Sequence, residues 1–346
     1  MDAKCVILTA LLATSPAIAG SITQTNLTSD GAITAKVIDP NLKNPWGMSY
    51  SAGGPFWVSD NATGLTTVYN GNGQIQHLVV TIPAAGGGTG TGSPTGQVFN
   101  ATSDFSVTAG GVSGPAAFIF DTEDGTISGW NPSVAPSAAV VAVDRSSDGA
   151  VFKGLAFYTD TSGSNYLLAT DFHTGVVDVF DGGFNLVATF RDTTLPNRYS
   201  PYNVAVLNGN IFVTYAVVDA ARHDSVSGKG KGAIEEVAFS GQVLARYEHG
   251  ALNAPWGLAI APTSFVGHAG DILVGNFGSG EIAVFTPALA PRGLLKDSSA
   301  KPLAIQGLWG LIPGNGGSGG ATNTIYFTAG PNNEADGLFG SLTYSP

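Results

Sequence analysis

One phrase recurs six times along this chain, and it constrains the fold more than any other feature. Each copy has a turn and an apolar strand, a second apolar strand that ends in a small polar cluster, and then a glycine and a third strand. The copies begin near residues 45, 94, 154, 201, 255 and 308. A spacing of about 50 residues is typical of one four-stranded propeller blade.

The strands within each copy are short, rich in aromatic and β-branched residues, and bounded by Gly, Asn and Asp, as in Phe56-Trp57-Val58-Ser59-Asp60-Asn61. The chain has 48 glycines and 19 prolines, and charged residues make up only 11% of it. This composition suits tight loops around a large core, and no long stretch has helical period. We therefore predict an all-β, six-bladed β-propeller with four-stranded blades.

The ends of the chain bear on how the ring closes. An open array of blades would leave two exposed sheet edges, and closure into a ring removes them. Residues 21–27 alternate polar and apolar side chains, which predicts a strand. We expect it to complete the last blade beside residues 340–344, and the alternative is a frayed terminal arm.

The N-terminus has the pattern of a signal peptide. Lys4 precedes an apolar run, and Ala17-Ile18-Ala19 fits a small-x-small cleavage site. We expect residues 1–19 to be removed and residues 20–346 to form one propeller domain, secreted to the extracellular space or the periplasm. The one cysteine, Cys5, lies in the removed segment, so the mature chain would have no disulfide and no thiol chemistry. We expect a monomer with no transmembrane segment.

The formal net charge of −11 and the pI near 4.6 argue against a nucleic-acid partner, which needs clustered Lys and Arg. The acidity either keeps an exported protein soluble or makes a surface that attracts cations. The sequence leaves both interpretations open.

Propeller geometry brings the turn before each first strand and the turn between the second and third strands to one mouth of the central channel, where propeller ligands usually bind. Two histidines and an aspartate interrupt the repeat and are candidate catalytic residues: His173, His223 and Asp224. The last two lie in a long insertion of the fourth copy, which we expect to lean over the mouth. Candidate ligand-binding residues are Trp46, Asn61, Trp256 and Trp309. Candidate metal ligands are Asp60, Asp171, Asn276 and Glu334.

Each candidate has a structural alternative. Asp side chains in turns commonly bond their own backbone, so Asp60 and Asp171 are also explained as turn formers. The tryptophans are also explained as core that fills the channel. An oxygen-rich mouth suits Ca²⁺ or another divalent metal, and two histidines with a carboxylate suit zinc or another transition metal. No diagnostic metal or nucleophile motif occurs, so no cofactor is certain.

The repeated phrases resemble an uncharacterised family of exported bacterial and fungal proteins. The matching segments include Asn44-Pro45-Trp46-Gly47, Leu252-Asn253-Ala254-Pro255-Trp256-Gly257 and Gly307-Leu308-Trp309-Gly310. The resemblance covers nearly the whole mature chain and implies an NHL-like or lactonase-like propeller in an exported protein. It implies no activity.

Three functions remain open from the sequence. The first is a binding module that holds an extracellular small molecule, glycan or peptide at the mouth. The second is a metal-dependent hydrolase of the lactonase or esterase kind, in which His173 or His223 acts as a base. The third is a structural extracellular protein, so whether the chain is an enzyme is left undecided. Propellers host binding and catalysis alike.

Overall fold

The computed structural model describes residues 20–345 and is nearly all β, with two short 3₁₀ turns. The predicted signal peptide lies outside the described residues. Two strands, β1 (Ser21–Ser29) and β2 (Val37–Ile38), precede the first blade. Among residues 20–345, no helix is long and apolar enough to cross a membrane.

Blades 1 to 3 each have four strands that run in order from the channel outward. Blade 1 comprises β3 (Pro45–Ser49), β4 (Phe56–Asp60), β5 (Leu65–Tyr69) and β6 (Ile75–Thr81). Blade 2 comprises β7 (Pro94–Phe99), an inserted hairpin of β8 (Ser106–Ala109) and β9 (Val112–Pro115), then β10 (Phe118–Thr122), β11 (Thr126–Trp130) and β12 (Val140–Asp144). Blade 3 comprises β13 (Phe152–Thr159), β14 (Asn165–Asp171), β15 (Val176–Asp181) and β16 (Leu186–Phe190).

Blades 4 to 6 follow the same plan, and the last blade is completed by β1. Blade 4 comprises β17 (Tyr199–Leu207), β18 (Asn210–Val217), β19 (Gly232–Val237) and β20 (Val243–Glu248). Blade 5 comprises β21 (Pro255–Ile260), β22 (Ile272–Asn276), β23 (Ile282–Phe285) and β24 (Pro291–Leu294). Blade 6 comprises β25 (Leu308–Pro313), β26 (Thr324–Ala329) and β27 (Leu338–Ser345), then β1, with β2 as a parallel fifth strand.

The predicted six-bladed architecture and its N-terminal closing strand are both confirmed. β1 pairs antiparallel with β27, from Ser21 opposite Ser345 to Ser29 opposite Leu338. Two starts differ from the sequence prediction, because the inner strands of blades 3 and 4 begin two residues earlier, at Phe152 and Tyr199.

The core is divided by the blades. Six clusters of buried apolar side chains each lie between two neighbouring blades, which is how a propeller covers both faces of every sheet. Leu27 of β1, for example, packs with Phe56 of blade 1 and Phe339 of blade 6. A seventh cluster, on the ring axis, is aromatic. It is the cluster that positions the site.

The inner strands approach one another closely near their first residues. The pairing between first and second strands shifts register there in all six blades, as at a β-bulge, and bulges re-aim side chains. A Cβ added at Gly96 would lie 2.3 Å from the Leu155 nitrogen, and one at Gly257 would lie 2.4 Å from the Trp309 carbonyl oxygen. Glycine at these positions therefore permits contact between successive inner strands. The equivalent residues of the other blades are Gly47, Gly154, Asn203 and Gly310.

A buried carboxyl beside this ring makes stability depend on pH. Asp121 is fully buried; its Oδ1 accepts a bond of 2.8 Å from the Thr95 hydroxyl, and its Oδ2 has no partner. Burial raises the pKa of Asp121 from 3.8 to about 7. The folded chain therefore holds a proton that the unfolded chain releases between these values. This contribution to stability is complete below pH 3.8 and is lost as the pH rises towards 7.

Asp121→Asn should remove this dependence because the amide does not ionise. Relative to the wild type, we expect the variant to gain about 2–3 kcal/mol of unfolding free energy between pH 5 and pH 8. Urea unfolding at both pH values measures it. If the difference in unfolding free energy between the two proteins were the same at pH 5 and pH 8, Asp121 would be ionised in the folded state at pH 5.

Candidate functional site

Aromatic side chains close the central channel near the first residues of the inner strands. Four inner strands have an aromatic residue at the bulge, namely Trp46, Tyr202, Trp256 and Trp309. Their rings pack with Phe172 and Phe277. The Trp46 and Trp309 rings are stacked with centroids 3.5 Å apart, and Trp256 lies edge-on to both at 5.9 Å. We call these six residues the plug.

The three tryptophans predicted as ligand-binding residues therefore lie in the plug. Trp46, Trp256 and Trp309 are only 2%, 4% and 1% exposed, and their rings contact one another rather than solvent. Their placement corresponds to the core-packing alternative that the sequence left open.

A buried cation lies between the plug and the solvent. Lys153 of β13 occupies the position that Trp46 occupies in blade 1, and it is 1% exposed. Its Nζ forms an ion pair with Glu123 and lies 5.2 Å from the centroid of the Trp46 ring. The Lys153 carbonyl accepts a bond of 2.8 Å from Trp256 Nε1. Because a buried ammonium needs a countercharge, Glu123 is as much a part of this arrangement as the lysine.

Two asparagines connect the plug to the carboxylates above it. Asn44 Oδ1 accepts a bond of 2.9 Å from Trp309 Nε1, and Asn44 Nδ2 donates to Glu334 Oε2 at 2.8 Å. Asn61 Nδ2 donates to Glu123 Oε2 at 2.8 Å, and its Oδ1 accepts from Asn44 at 3.2 Å. Both carboxylates are thereby fixed in direction by side chains of blade 1.

The insertion of blade 4, residues 218–231 between β18 and β19, lies over the same mouth. Its turn is held by Asp219, which accepts bonds from the backbone nitrogens of His223 and Asp224 at 2.9 and 3.3 Å. Arg222 anchors it to blade 3 through a bond to the His173 carbonyl at 2.5 Å, and to the inner strand of blade 4 through a bond to Ser200 Oγ at 2.7 Å. The exposed Asp224 is thereby held with its Oδ1 3.6 Å from Lys153 Nζ.

We call the resulting group the acidic mouth: Asn44, Asn61, Glu123, Lys153, His223, Asp224 and Glu334. Its carboxylates come from alternate blades, namely blades 2, 4 and 6, and outnumber the one lysine three to one. Burial raises the pKa of Glu334; the bond from Asn44 lowers it, the charges of Glu123 and Asp224 raise it further and Lys153 lowers it. The mouth therefore carries an excess of negative charge.

Three side chains of the mouth have the donor types of a metal site. The donor atoms of Glu123, His223 and Asp224 all lie within 4.8 Å of one another, and His223 Nδ1 is 3.1 Å from Asp224 Oδ1. An oxygen-rich set with one imidazole suits a divalent cation. Lys153 already neutralises Glu123 from below, so a cation there would share that carboxylate with the lysine.

Four of the residues predicted from the sequence come together at this mouth: Asn61, His223, Asp224 and Glu334. Asp60, Asp171 and Asn276, predicted as metal ligands, do not join Glu334, because they are fully buried within their own blades. Asp171, for example, accepts bonds from the backbone nitrogens of Val151 and His173 at 3.2 and 3.1 Å. Asp60 Oδ2 accepts a bond of 2.7 Å from Thr67 Oγ1, and Asn276 Nδ2 donates to the Glu281 carbonyl at 3.0 Å, so these side chains bond within their own blades.

The remaining predicted catalytic residue lies apart from the mouth. The His173 ring lies beside Gly149, and its carbonyl rather than its imidazole contacts the insertion, through Arg222. Sequence reasoning missed Asn44, Glu123 and Lys153. Starting the third copy at Phe152-Lys153-Gly154 would have aligned a lysine with the tryptophan of Pro45-Trp46-Gly47 and marked it as unusual.

The fold defines a class, the six-bladed β-propellers. The structure resembles virginiamycin B lyase from Staphylococcus aureus, with a TM-score of 0.54 and 13% identity over 94% of this chain and 99% of that one. It also resembles a PQQ-bound aldose sugar dehydrogenase from Streptomyces coelicolor, with a TM-score of 0.52 and 14% identity over 94% and 98%. At such identities the likeness is one of fold alone.

Sequence comparison identifies closer relatives. Uncharacterized protein R648 of Acanthamoeba polyphaga mimivirus is 30% identical over 326 residues, which are 91% of this chain and 78% of the viral protein. Uncharacterized protein L690 of the same virus is 30% identical over 91% of this chain and 84% of its own length. The chain belongs to the family of these viral proteins. No family model matches it.

The ion pair at the centre of the mouth can be tested through stability. Lys153→Met should lower the unfolding free energy by about 3 kcal/mol, because it leaves the mostly buried Glu123 carboxylate without its countercharge. The double variant Lys153→Met/Glu123→Gln should recover most of this loss. Denaturant unfolding of the four proteins of this cycle measures both effects.

The exposed Lys301→Met is the matched control and should change stability by less than about 0.5 kcal/mol. If Lys153→Met were as mild as the control, the ammonium would not be buried against Glu123.

Proposed function

We propose that this chain is a secreted ligand-binding propeller, and that its ligand presents a positively charged group to the acidic mouth. One observation carries the proposal: three carboxylates from alternate blades converge above a closed plug, with a single lysine beneath them. The plug supplies a rigid floor, and Asn44 and Asn61 fix two of the carboxylates in direction. Preorganised acceptors of this kind lose little entropy when a donor binds.

The charge of the mouth selects the class of ligand. An ammonium or guanidinium group donates hydrogen bonds to carboxylates and complements their charge, and charge-assisted bonds are the stronger kind. A basic peptide side chain or an amino sugar therefore fits better than a neutral glycan. The net charge of −11 acts in the same direction by attracting cationic ligands.

The proposed secretion is supported by the signal-peptide pattern of residues 1–19 and by the resemblance to a family of exported propellers. A cysteine-free mature chain suits an oxidising compartment, because it offers no thiol to oxidise. We also propose that this chain is a member of that exported family.

Matched ligand pairs test the charge requirement. Glucosamine is compared with glucose, and Nα-acetyl-lysine amide with its Nε-acetylated form, by calorimetric titration and thermal shift. We expect at least one amine to bind, and each neutral counterpart to bind at least about tenfold more weakly. Glu123→Gln and Glu334→Gln should weaken the amine, whereas Glu248→Gln, on the exposed part of β20, should not.

Equal binding of an amine and its neutral counterpart would contradict the proposal. So would the absence of binding by both amines, an outcome that would favour a structural extracellular role.

A metal-dependent hydrolase of esters or lactones is the second candidate, favoured by the grouping of Glu123, His223 and Asp224. Glu123, His223 and Asp224 would hold a divalent cation there, and the cation would polarise the substrate carbonyl and lower the pKa of a bound water. The same thermal scan separates the candidates. A hydrolase requires stabilisation by CaCl₂, MnCl₂ or ZnCl₂ that EDTA reverses and His223→Ala abolishes, whereas the binding module requires none of these.

A further inference from the structure

The central channel contains a second chamber, on the side of the plug opposite the acidic mouth. It has a volume of about 450 Å³ and is lined by the inner strands of all six blades. Pockets of about 300–1,000 Å³ are the usual size for small-molecule ligands. We call this chamber the axial cavity. It opens where the inner strands end, near the exposed Asn208 and near Pro313.

The axial cavity is blind at its inner end. Trp256 forms part of its wall, whereas Trp46 and Trp309, which are 2% and 1% exposed, are sealed from both chambers. The close contacts at Gly47, Gly96 and Gly310 bring the strands together at the same level. A ligand in this cavity would therefore not reach the acidic mouth.

The wall of the axial cavity has no charged side chain among the 22 residues that form it. Most of them are aliphatic, for example Leu155, Val206 and Ile312. Such a wall gives an ion no countercharge, whereas it favours the transfer of an apolar molecule out of water.

The two amide side chains deep in the wall already have partners. Gln97 Nε2 donates to the Gly47 carbonyl and to Ser59 Oγ, both at 3.0 Å, and its Oε1 accepts from Ser49 Oγ at 3.0 Å. Asn203 Nδ2 donates to the Trp256 carbonyl at 2.8 Å. These amides hold neighbouring strands together, so they do not select a polar ligand.

From the blind shape, the uncharged wall and the occupied amides, we propose that the axial cavity binds one neutral, largely apolar small molecule per chain. The ligand is held by burial of its surface against the aliphatic wall. This site is separate from the acidic mouth and does not depend on the function proposed for it.

A pair of fluorescent probes that differ by one sulfonate tests the proposal. N-phenyl-1-naphthylamine is neutral, and 8-anilino-1-naphthalenesulfonate has the same rings with a negative charge. We expect the neutral probe to bind with one-to-one stoichiometry and a rise in emission, and the charged probe to bind at least about tenfold more weakly.

Variants locate the binding. Val206→Glu and Ile312→Glu place a charge on half-buried wall positions and should each weaken the neutral probe by at least about tenfold. Val187→Glu, the same change at a position that is 52% exposed on the outer strand β16, should leave binding unchanged. Circular dichroism and melting temperature identify any variant that fails to fold. If one wall variant fails to fold, probe binding by the other decides the test.

The proposal is overturned if the neutral probe does not bind, if both probes bind equally, or if folded wall variants bind as the wild type does. Loss of glucosamine binding in the wall variants would contradict the separation of the two chambers.

Discussion

The contact between successive inner strands at the axis is the constraint on which the rest of the structure depends. Glycine occupies five of the six equivalent positions, and at Gly96 a side chain would collide with the next strand. The strands therefore meet, and the bulges beside them turn large side chains onto the axis. A ring of this kind closes the channel and leaves one chamber on each side.

The two chambers differ because the residues flanking the contact differ. On one side, the loops supply carboxylates and amides, and the insertion of blade 4 adds His223 and Asp224. On the other side, the inner strands continue as aliphatic residues without a charge. The faces of each blade are buried against its neighbours, so the residues along its strands are mostly aliphatic. The loops at the strand ends meet solvent, so the polar residues lie there.

Lys153 is the exception that gives the mouth its electrostatic character. It stands at a position that is tryptophan in blades 1, 5 and 6, and it places a cation against the aromatic plug, over the rings of Trp46 and Phe172. Glu123 compensates this charge, so the negative charge offered to a ligand is mainly that of Asp224 and Glu334. Replacing the aromatic side chain with lysine thus changes both the packing of the plug and the charge of the mouth.

The repeat was sufficient to predict the blade number, because six copies of one phrase can satisfy their edges only by closing. Residues 21–27 were assigned to the last blade for the same reason, and the insertion around His223 was expected over the mouth because it joins a second and a third strand. These predictions depend on period and connectivity, which a sequence displays directly.

The contacts within the site could not be predicted in the same way. From the sequence, Asp60 and Asp171 could each be a turn former or a metal ligand, and only their burial in the structure distinguishes the two roles. Glu123 and Lys153 are 30 residues apart and meet through the packing of blades 2 and 3. The axial cavity is formed by short runs of residues from six strands, so no local segment reveals it.

The axis of the propeller is closed, and Lys153 lies buried beneath the acidic mouth. Reductive methylation of the native protein, followed by peptide mapping, tests this closure, since a small reagent would modify any lysine that an open channel exposes. We expect Lys153 to stay unmodified while the exposed Lys36, Lys229 and Lys301 are dimethylated. Modification of Lys153 at the rate of Lys301 would contradict it.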